Sequence, residues 1–344
     1  MSGRSDGIGA FLRLSDPVIP QQQNLYARCY RTRYRMSRAV VTGGLGGAAS
    51  WVVSSLADQG WDVRSIDFRR PGDPAAGPTN VDFRAADLTD QGQTWELVSE
   101  FDPDYVVHYA AYPNPLGRGG AHVYENNTIS TYNVLSGAGD AGADVVWASS
   151  ETVYGTVFAE PSFLPDYFPI DVDHPKRPED PYGTSKVAGE ETAKMVTRRY
   201  DVSVASIRPS WINYPGNYDA TTIRENFDME SASLDDDFGV TFHNAAGNFF
   251  SYVDIRDVVS LTERAMEVDF DGHEPFMAVA KGNLLGVDTA DAVEATYGDL
   301  PDEVDLAGDQ SAIDYENARE VLDWEPEHSW REAEDEQVDG PSFV

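Results

Sequence analysis

A glycine-rich turn between an apolar strand and a helix constrains the fold of this chain more than any other feature. Residues 40–49 read VVTGGLGGAA, which gives a G-x-x-G-x-x-A spacing, and a helix is predicted from residue 48 to residue 59. Small residues here let the backbone approach a pyrophosphate and let the helix pack close to the strand. The free N–H groups at the helix start favour an anion. We predict a dinucleotide site at Gly43, Gly46 and Gly47; the alternative is an ordinary strand–turn–helix.

Strands and helices alternate from this turn to about residue 209. Strands separated by helices form parallel sheets that are covered on both faces. We predict an α/β fold with a doubly wound parallel sheet, in which residues 36–209 form the dinucleotide-binding domain. The alternation weakens after Pro209, so residues 210–330 are expected to form a smaller α/β part that mainly binds substrate. The predicted strands are 39–42, 62–67, 81–84, 105–108, 145–149 and 202–207, and the other predicted helices are 91–100 and 124–141.

Asp67 ends the second predicted strand at the spacing from Gly43 that is typical of a ribose-binding carboxylate. A carboxylate at this place accepts hydrogen bonds from the ribose hydroxyls and repels a ribose phosphate. Asp67 therefore favours NAD over NADP. Arg69 and Arg70 follow directly and offer the alternative of binding such a phosphate.

Tyr182 and Lys186 lie four residues apart in the segment YGTSK. On a helix this spacing places both side chains on one face. A nearby ammonium group lowers the pKa of a tyrosine, which can then act as a general base toward a substrate hydroxyl. Ser150 follows an apolar strand, at the edge where parallel sheets bind ligands. These residues predict a Ser–Tyr–Lys catalytic group; the alternatives are an exposed helical pair and a turn serine.

Together these motifs resemble the extended short-chain dehydrogenase/reductase family, in its NAD-dependent epimerase/dehydratase branch. The resemblance covers residues 36–330 and implies a Rossmann-like fold. The matching segments are residues 42–49, Asp67, Asp87-Leu88, residues 108–111 (HYAA), Asn127 with Thr131 and Asn133, Ser150 before residues 153–155 (VYG), Tyr182 with Lys186, and Arg208-Pro209.

The resemblance implies a role for each matching residue. Ser150 would orient the substrate oxygen, Tyr182 would take its proton, and Lys186 would hold the nicotinamide ribose and lower the Tyr182 pKa. Asn127 matches the family asparagine on the central helix and joins the catalytic candidates. The implied cofactor contacts are Gly43, Gly46, Gly47, Asp67, Asp87, Leu88, Ala110, Lys186 and Pro209.

Proton and hydride loss would convert a secondary hydroxyl of a sugar or sugar derivative into a ketone. An enzyme that returns the hydride to the other face of the ketone is an epimerase of the nucleotide-sugar type. Elimination before the hydride returns makes a dehydratase. Release of the keto product makes a net sugar or sugar-acid dehydrogenase. An alternative of another class is a non-catalytic NAD-binding sensor. The retained Ser150, Tyr182 and Lys186 favour an enzyme, because a sensor needs none of them.

Substrate recognition departs from the family pattern. Family members that act on nucleotide sugars usually carry an arginine where Asn248 aligns, and another where Leu306-Ala307 stand. Arginines bind a diphosphate bidentately, so their loss argues against a nucleotide sugar unless Arg224, Arg256 or Arg319 substitutes or the alignment is shifted.

Three further residues are substrate candidates. In sugar dehydratases of this family, an Asp-Glu pair follows the catalytic serine. Here Glu151 stands at the first of these two positions and Thr152 at the second. It could protonate a leaving hydroxyl, accept a hydrogen bond from the substrate, or be structural. Trp211 and Asn213 follow Pro209 and are expected to line the cleft, where an aromatic face stacks on a sugar, although core packing is as plausible for Trp211.

Composition restricts the partners and the setting. The chain has 59 Asp and Glu, 25 Lys and Arg and a net charge of −34, with only four Lys. This resembles a halophilic archaeal protein, with an acidic mesophilic protein as the alternative, and it argues against a nucleic-acid binder. No membrane span, disulfide or metal site is predicted. We expect a cytoplasmic homodimer that packs through helices 124–141 and 182–200, by analogy with the family.

Three segments stand apart from the predicted domains. Residues 1–35 carry six Arg and two acids, and our hypothesis is that natural translation starts at Met36; the rival is a basic arm that binds an acidic partner. Residues 155–180 contain five prolines and several aromatics, which favours a lid or wall of the site. Residues 331–344 are acidic and are expected to form a solvated tail.

Overall fold

The structure is a computed structural model that describes residues 36–73, 77–218, 220–234 and 240–344. The hypothesis about residues 1–35 concerns residues outside these ranges.

The strands are β1 (Arg38–Thr42), β2 (Asp62–Asp67), β3 (Val81–Ala85), β4 (Tyr105–His108), β5 (Asp144–Ala148), β6 (Tyr167–Phe168), β7 (Val204–Pro209), β8 (Ile212–Asn213), β9 (Val253–Asp254), β10 (His273–Ala278) and β11 (Glu303–Val304). The helices are α1 (Gly47–Asp58), α2 (Gln91–Phe101), α3 (Gly120–Ala141), α4 (Pro181–Tyr200), α5 (Ala220–Asn226), α6 (Val240–Gly247), α7 (Ile255–Glu267), α8 (Thr289–Tyr297), α9 (Glu316–Leu322) and α10 (Trp330–Ala333), with a 3₁₀ helix at Glu151–Tyr154.

Seven parallel strands form the central sheet in the order β10-β7-β5-β4-β1-β2-β3. In the middle of the sheet, Val41 pairs with Ser65 on one side and with Val107 on the other. The central strands read as continuous apolar runs because both faces of a parallel sheet are buried. The predicted doubly wound α/β fold is confirmed.

Helices cover both faces of this sheet. On one face, α1, α7 and α9 bury residues such as Leu56, Val258 and Leu322 in one apolar cluster. On the other face, α2, α3 and α4 bury residues such as Leu135 and Val196 in a second cluster. No helix in the described ranges is both long and apolar enough to cross a bilayer.

The sheet continues beyond the expected domain boundary at Pro209. β10 pairs in parallel with β7 along its whole length, from His273 beside Val204 to Ala278 beside Pro209. The sequence HEPFMA of β10 has no apolar run over its first three residues, which explains why no strand was predicted there. Residues after 209 therefore contribute both to the sheet and to the region beyond its carboxyl edge.

Residues 331–344, expected to form a solvated tail, are mostly exposed, but Ala333 and Phe343 are buried against the body of the protein. The Phe343 ring is buried, with its centroid 5.2 Å from that of Phe83. Glu334 accepts a 2.6 Å hydrogen bond from the Arg224 guanidinium. Acidic composition is typical of solvated tails, whereas here a terminal aromatic and paired carboxylates hold the segment in place.

The proline-rich segment 155–180 is tied to the C-terminal part of the chain. Its strand β6 pairs with β11, and Ile170 forms a further bridge with Ile313. Phe168 is buried and packs edge-on against Phe249 at a centroid distance of 4.9 Å. These contacts favour the wall over the lid in our interpretation of this segment.

Candidate active site

Backbone contacts hold the glycine-rich turn at the carboxyl end of the sheet. Gly43 donates its N–H to the Ile66 carbonyl at 2.7 Å and has a φ of +72°. A Cβ at this position would lie 2.7 Å from the Ala110 backbone nitrogen, so the turn requires glycine here. No side chain caps the first N–H groups of α1, and such donors suit a phosphate.

A cavity of about 1020 Å³ opens beside this turn, a size that suits a dinucleotide. The Asp67 carboxylate lies in its wall, where it accepts hydrogen bonds from the N–H groups of Leu45 at 3.2 Å and Arg69 at 3.3 Å. The Thr89 hydroxyl and N–H lower the pKa of Asp87, so this carboxylate is ionised. The predicted cofactor residues that line the cavity are Gly43, Gly46, Asp67, Asp87, Leu88 and Ala110.

Ser150, Tyr182 and Lys186 meet just beyond the carboxyl end of β5, and all three are buried. The Tyr182 phenol forms a hydrogen bond with Ser150. Lys186 Nζ lies 5.3 Å from the centroid of the Tyr182 ring and donates to the Ala148 carbonyl at 2.6 Å. The helix carrying both residues starts here because Asp180 caps it, accepting from the Tyr182 N–H at 2.8 Å.

Burial governs the protonation of this group. It raises the pKa of the Tyr182 phenol to about 12, against the effect of the Ser150 hydrogen bond. It lowers the pKa of the Lys186 ammonium to about 7, against the attraction of Glu190. Lys186 does not contribute to the pKa of Tyr182 in this arrangement, because its Nζ is directed at the Ala148 carbonyl and both groups have lost water. The expected lowering of the Tyr182 pKa by Lys186 therefore stays a prediction.

Glu190, one helical turn after Lys186, is the centre of a buried ionic network that the sequence analysis missed. Arg208 binds its carboxylate through Nε at 2.8 Å and Nη2 at 2.9 Å, and Lys176 Nζ and Ser149 Oγ each lie at 2.8 Å. Burial opposes ionisation, but the two cations lower the pKa of Glu190 to about 2. The network joins α4, β7 and the strand that leads to the catalytic serine. Its signal in the sequence is a glutamate four residues after the lysine.

Asn127 lies outside the lining of the cavity. Its Nδ2 donates to the Tyr112 carbonyl at 3.0 Å and its Oδ1 accepts from the Tyr112 N–H at 2.9 Å, so the amide fixes the β4–α3 connection. The neighbouring Asn126 lines the cavity and donates to Asn127 Oδ1 at 3.1 Å. Asn126 is therefore a cavity residue that the sequence analysis missed, although the Asn-Asn pair marked the place.

Glu151 is buried directly after Ser150, with Asn248 Nδ2 at 3.5 Å from its Oε1. Burial raises the pKa of the Glu151 carboxyl to about 8, and the facing Ser210 hydroxyl and Asn248 amide offset this only in part. Asn248, which the family resemblance was expected to place where nucleotide-sugar enzymes carry an arginine, thus faces a buried acid.

Asn213 and Trp211, both predicted to contact substrate, hold the local chain together. Asn213 is buried; its Nδ2 donates to the Trp211 carbonyl at 3.0 Å and its Oδ1 accepts from the Ala220 N–H at 3.3 Å. The buried amide therefore links the Trp211 carbonyl to the Ala220 N–H. Trp211 packs against the third apolar cluster, which favours core packing over a stacking role.

Gly47 and Pro209 also lie outside the lining of the cavity. Pro209 ends β7 and pairs with Ala278 of β10. Gly47 packs beneath Tyr214, whose hydroxyl a Cβ at residue 47 would strike. Both residues support the site from behind, where the turn and the sheet edge must pack closely.

A doubly wound sheet with a glycine-rich dinucleotide turn and a buried Ser–Tyr–Lys group defines a short-chain dehydrogenase/reductase. The chain belongs to the NAD dependent epimerase/dehydratase family, whose model matches residues 39–277. The members of this family are NAD-dependent enzymes, so the resemblance inferred from the motifs is confirmed.

Relatives within the family differ in the reaction that their names describe. The chain is 32% identical over 204 residues to an L-arabinose 1-dehydrogenase (NAD(P)(+)) of Haloferax volcanii, covering 57% of this chain and 74% of that protein. It is 34% identical over 179 residues to a protein of Methanocaldococcus jannaschii, covering 50% of this chain and 54% of that protein. The fold is similar to that of a Thermotoga maritima UDP-glucose 4-epimerase solved with UDP-glucose, with a TM-score of 0.63, 24% identity, and coverage of 87% and 96%.

Proposed function

We propose that this protein oxidises a secondary hydroxyl of a sugar or sugar derivative in an NAD-dependent reaction. The observation that carries this proposal is the buried group of Ser150, Tyr182 and Lys186, which lies at the same carboxyl edge of the sheet as the glycine-rich turn of the cavity. Ser150 orients the substrate oxygen through its hydroxyl, and Tyr182 accepts the proton. NAD, when bound, accepts the hydride and so makes a ketone. Lys186 would hold the nicotinamide ribose, as the family resemblance implies.

The cavity fits a dinucleotide and, in our proposal, NAD in particular. Asp67 lies where ribose hydroxyls would meet a carboxylate, and its position is fixed by two backbone N–H groups. Arg69 lines the same wall, and a Haloferax relative is named for both NAD and NADP, so NADP is the second candidate.

Two outcomes of the oxidation have support from named relatives. An enzyme that returns the hydride is an epimerase of the nucleotide-sugar type, like the Thermotoga protein. An enzyme that releases the keto product is a net sugar dehydrogenase, like the Haloferax protein. The two differ in whether NADH accumulates.

The experiment is to denature the protein purified in molar KCl, identify any released nucleotide by chromatography, and then assay sugars for NADH formation. Retained NAD or NADH indicates an epimerase, and a protein without nucleotide that forms NADH indicates a dehydrogenase. Tyr182→Phe is the control, and turnover that survives this change would overturn the proposed mechanism.

We also propose a homodimer formed through α3 and α4. Three large side chains of α3, Tyr124, Ile129 and Tyr132, are 41–45% exposed. Their exposure supports an interface because a second copy would cover them. Light scattering in molar KCl tests the proposal, and a monomer at all concentrations would contradict it.

The acidic composition supports a cytoplasmic protein of a halophilic archaeon as the setting. A net charge of −34 destabilises the folded state by self-repulsion unless salt screens it. We expect the unfolding midpoint to rise steeply with KCl concentration, and a midpoint independent of salt would argue for a mesophilic source.

A further inference from the structure

Three buried polar side chains from different elements converge beside the catalytic group. Glu151 begins the 3₁₀ helix after β5, Ser210 follows β7, and Asn248 follows α6. Their exposed fractions are 6%, 4% and 3%. The Ser210 hydroxyl and the Asn248 amide both face the Glu151 carboxyl. We call these three residues the Glu151 group.

Each member of the Glu151 group has a buried polar atom without a partner. Glu151 Oε2, Ser210 Oγ and Asn248 Oδ1 complete no hydrogen bond with any residue in the described ranges. Leaving a buried polar atom unpaired destabilises a protein, so three such atoms in one place need an explanation. A ligand that carries polar atoms into the site provides one.

The position of the Glu151 group identifies that ligand as the substrate. Glu151 follows Ser150 in the chain, and its charge is close enough to Tyr182 to affect the pKa of the phenol. A molecule whose reacting oxygen contacts Ser150 and Tyr182 therefore presents its neighbouring atoms to Glu151, Ser210 and Asn248.

The unpaired atoms suit a hydroxyl group better than an anion. Burial keeps the Glu151 carboxyl protonated at neutral pH, so that it can both donate and accept. The Ser210 hydroxyl also does both, and Asn248 Oδ1 accepts. A sugar hydroxyl needs such a mixed set, whereas a phosphate or carboxylate needs donors and positive charge.

The cations in the part of the chain that is expected to bind substrate are all paired with carboxylates. Residues 210–344 contain six Lys and Arg, all within the described ranges, and each forms an ion pair with a carboxylate. The pairs are Arg224–Glu334, Arg256–Asp254, Arg264–Glu267, Lys281–Glu325, Arg319–Glu316 and Arg331–Asp309.

We propose that the substrate is an uncharged, unphosphorylated sugar, and that Glu151, Ser210 and Asn248 bind a hydroxyl next to the carbon that is oxidised. This inference rests on the proposed function and adds the substrate class. It makes Glu151 a specificity-determining residue that acts as a neutral hydrogen-bonding group.

The first test measures NADH formation, or the epimer, with D-glucose, D-galactose, D-xylose, L-arabinose, D-glucuronate and UDP-glucose. We expect turnover with a neutral aldose, and no binding of UDP by calorimetry. Tyr182-dependent turnover that is fastest with UDP-glucose or D-glucuronate would overturn this inference and leave the proposed function standing. An absence of turnover with every sugar, together with an absence of NAD binding, would overturn both.

The second test compares the best neutral sugar with its monodeoxy analogues. In the wild type, one deoxy analogue should lose about 10- to 100-fold in kcat/KM, because its hydroxyl partners are left unpaired. Glu151→Ala should abolish this discrimination, and the neutral isostere Glu151→Gln should keep it. Equal discrimination in Glu151→Ala, or its loss in Glu151→Gln, would contradict the inference. Ser210→Ala is the second variant if Glu151→Ala does not fold.

Discussion

The cofactor side and the substrate side of the candidate active site differ in how their cations are used. Arg69 and Arg118 line the cofactor cavity, and neither forms an ion pair with a carboxylate of the described ranges. In residues 210–344, the part of the chain expected to bind substrate, all six Lys and Arg are paired.

Asp and Glu outnumber Lys and Arg by 59 to 25, so a cation has many carboxylates with which it could pair. Unpaired cations around the cofactor cavity indicate that an anion binds there. Paired cations in residues 210–344 indicate that the substrate is neutral. The comparison predicts that substitutions on the two sides separate cofactor affinity from substrate turnover.

The largest effect is expected on the substrate side, from Tyr182→Phe. Removing the general base should lower kcat by about 10²- to 10⁴-fold. NAD affinity should stay unchanged, because Tyr182 is not part of the cavity lining. Steady-state kinetics and calorimetric NAD titration measure the two effects. A parallel loss of NAD affinity would contradict the prediction that the cofactor side and the substrate side act separately.

Glu151→Gln is expected to stabilise the protein by an amount that grows as the pH rises from about 4.5 to about 8. The folded-state pKa of about 8 lies above the ordinary value of 4.5, so folding takes up a proton between these values. The wild-type free energy of unfolding therefore falls as the pH rises through this window, and the variant should be more stable above pH 8 by on the order of 3 kcal/mol.

Denaturation at pH 5 and pH 9 checks this prediction, because at pH 5 both proteins carry a neutral side chain at residue 151. Tyr182, Ser210 and Asn248 face this side chain and are the same in both proteins. Glu191→Gln is the matched control, since the Glu191 side chain is 61% exposed and its change should shift stability by under about 1 kcal/mol. The same stabilisation by Glu151→Gln at both pH values would exclude titration as its cause.

On the cofactor side, Gly43→Ala is expected to weaken NAD binding by about tenfold or more. Alanine in the present backbone conformation of residue 43 costs about 1–2 kcal/mol, so the turn must move away from the geometry that binds NAD. The added Cβ meets the Ala110 backbone, and the φ of +72° disfavours alanine. Gly72→Ala is the control, since nothing lies within 4 Å of a Cβ there. Equal NAD affinity in the two variants would show that the turn is not part of the cofactor site.

The two sides also differ in how well the sequence predicts them. On the cofactor side, the turn and Asp67 belong to one strand–turn–helix–strand unit, so spacing alone places them together. Tyr182 and Lys186 share a helix face for the same local reason. The fold class follows from the alternation of strands and helices.

What the sequence could not predict depends on packing between distant segments. β10 was missed because its first half is polar, and the tail was misjudged because its carboxylates pair with arginines far away in the chain. The protonation of Tyr182 and Lys186 depends on burial, which spacing does not reveal. Asn248 could be aligned, but only the structure places it against Glu151.

The smallest effect is expected from Arg118→Ala, which directly tests an unpaired cation of the cofactor cavity. Arg118 stacks on the Tyr112 ring at 4.3 Å in the cavity wall, where a cofactor phosphate would meet its charge. Arg118→Ala should raise the Kd for NAD by about 2- to 5-fold in low salt, and less in molar KCl, because an exposed ion contact is weak and screened. Arg198→Ala removes an exposed arginine outside the cavity lining and controls for net charge. Equal effects of the two variants would show that Arg118 acts only through the overall charge, and the cations of the cofactor side would then not mark an anion site.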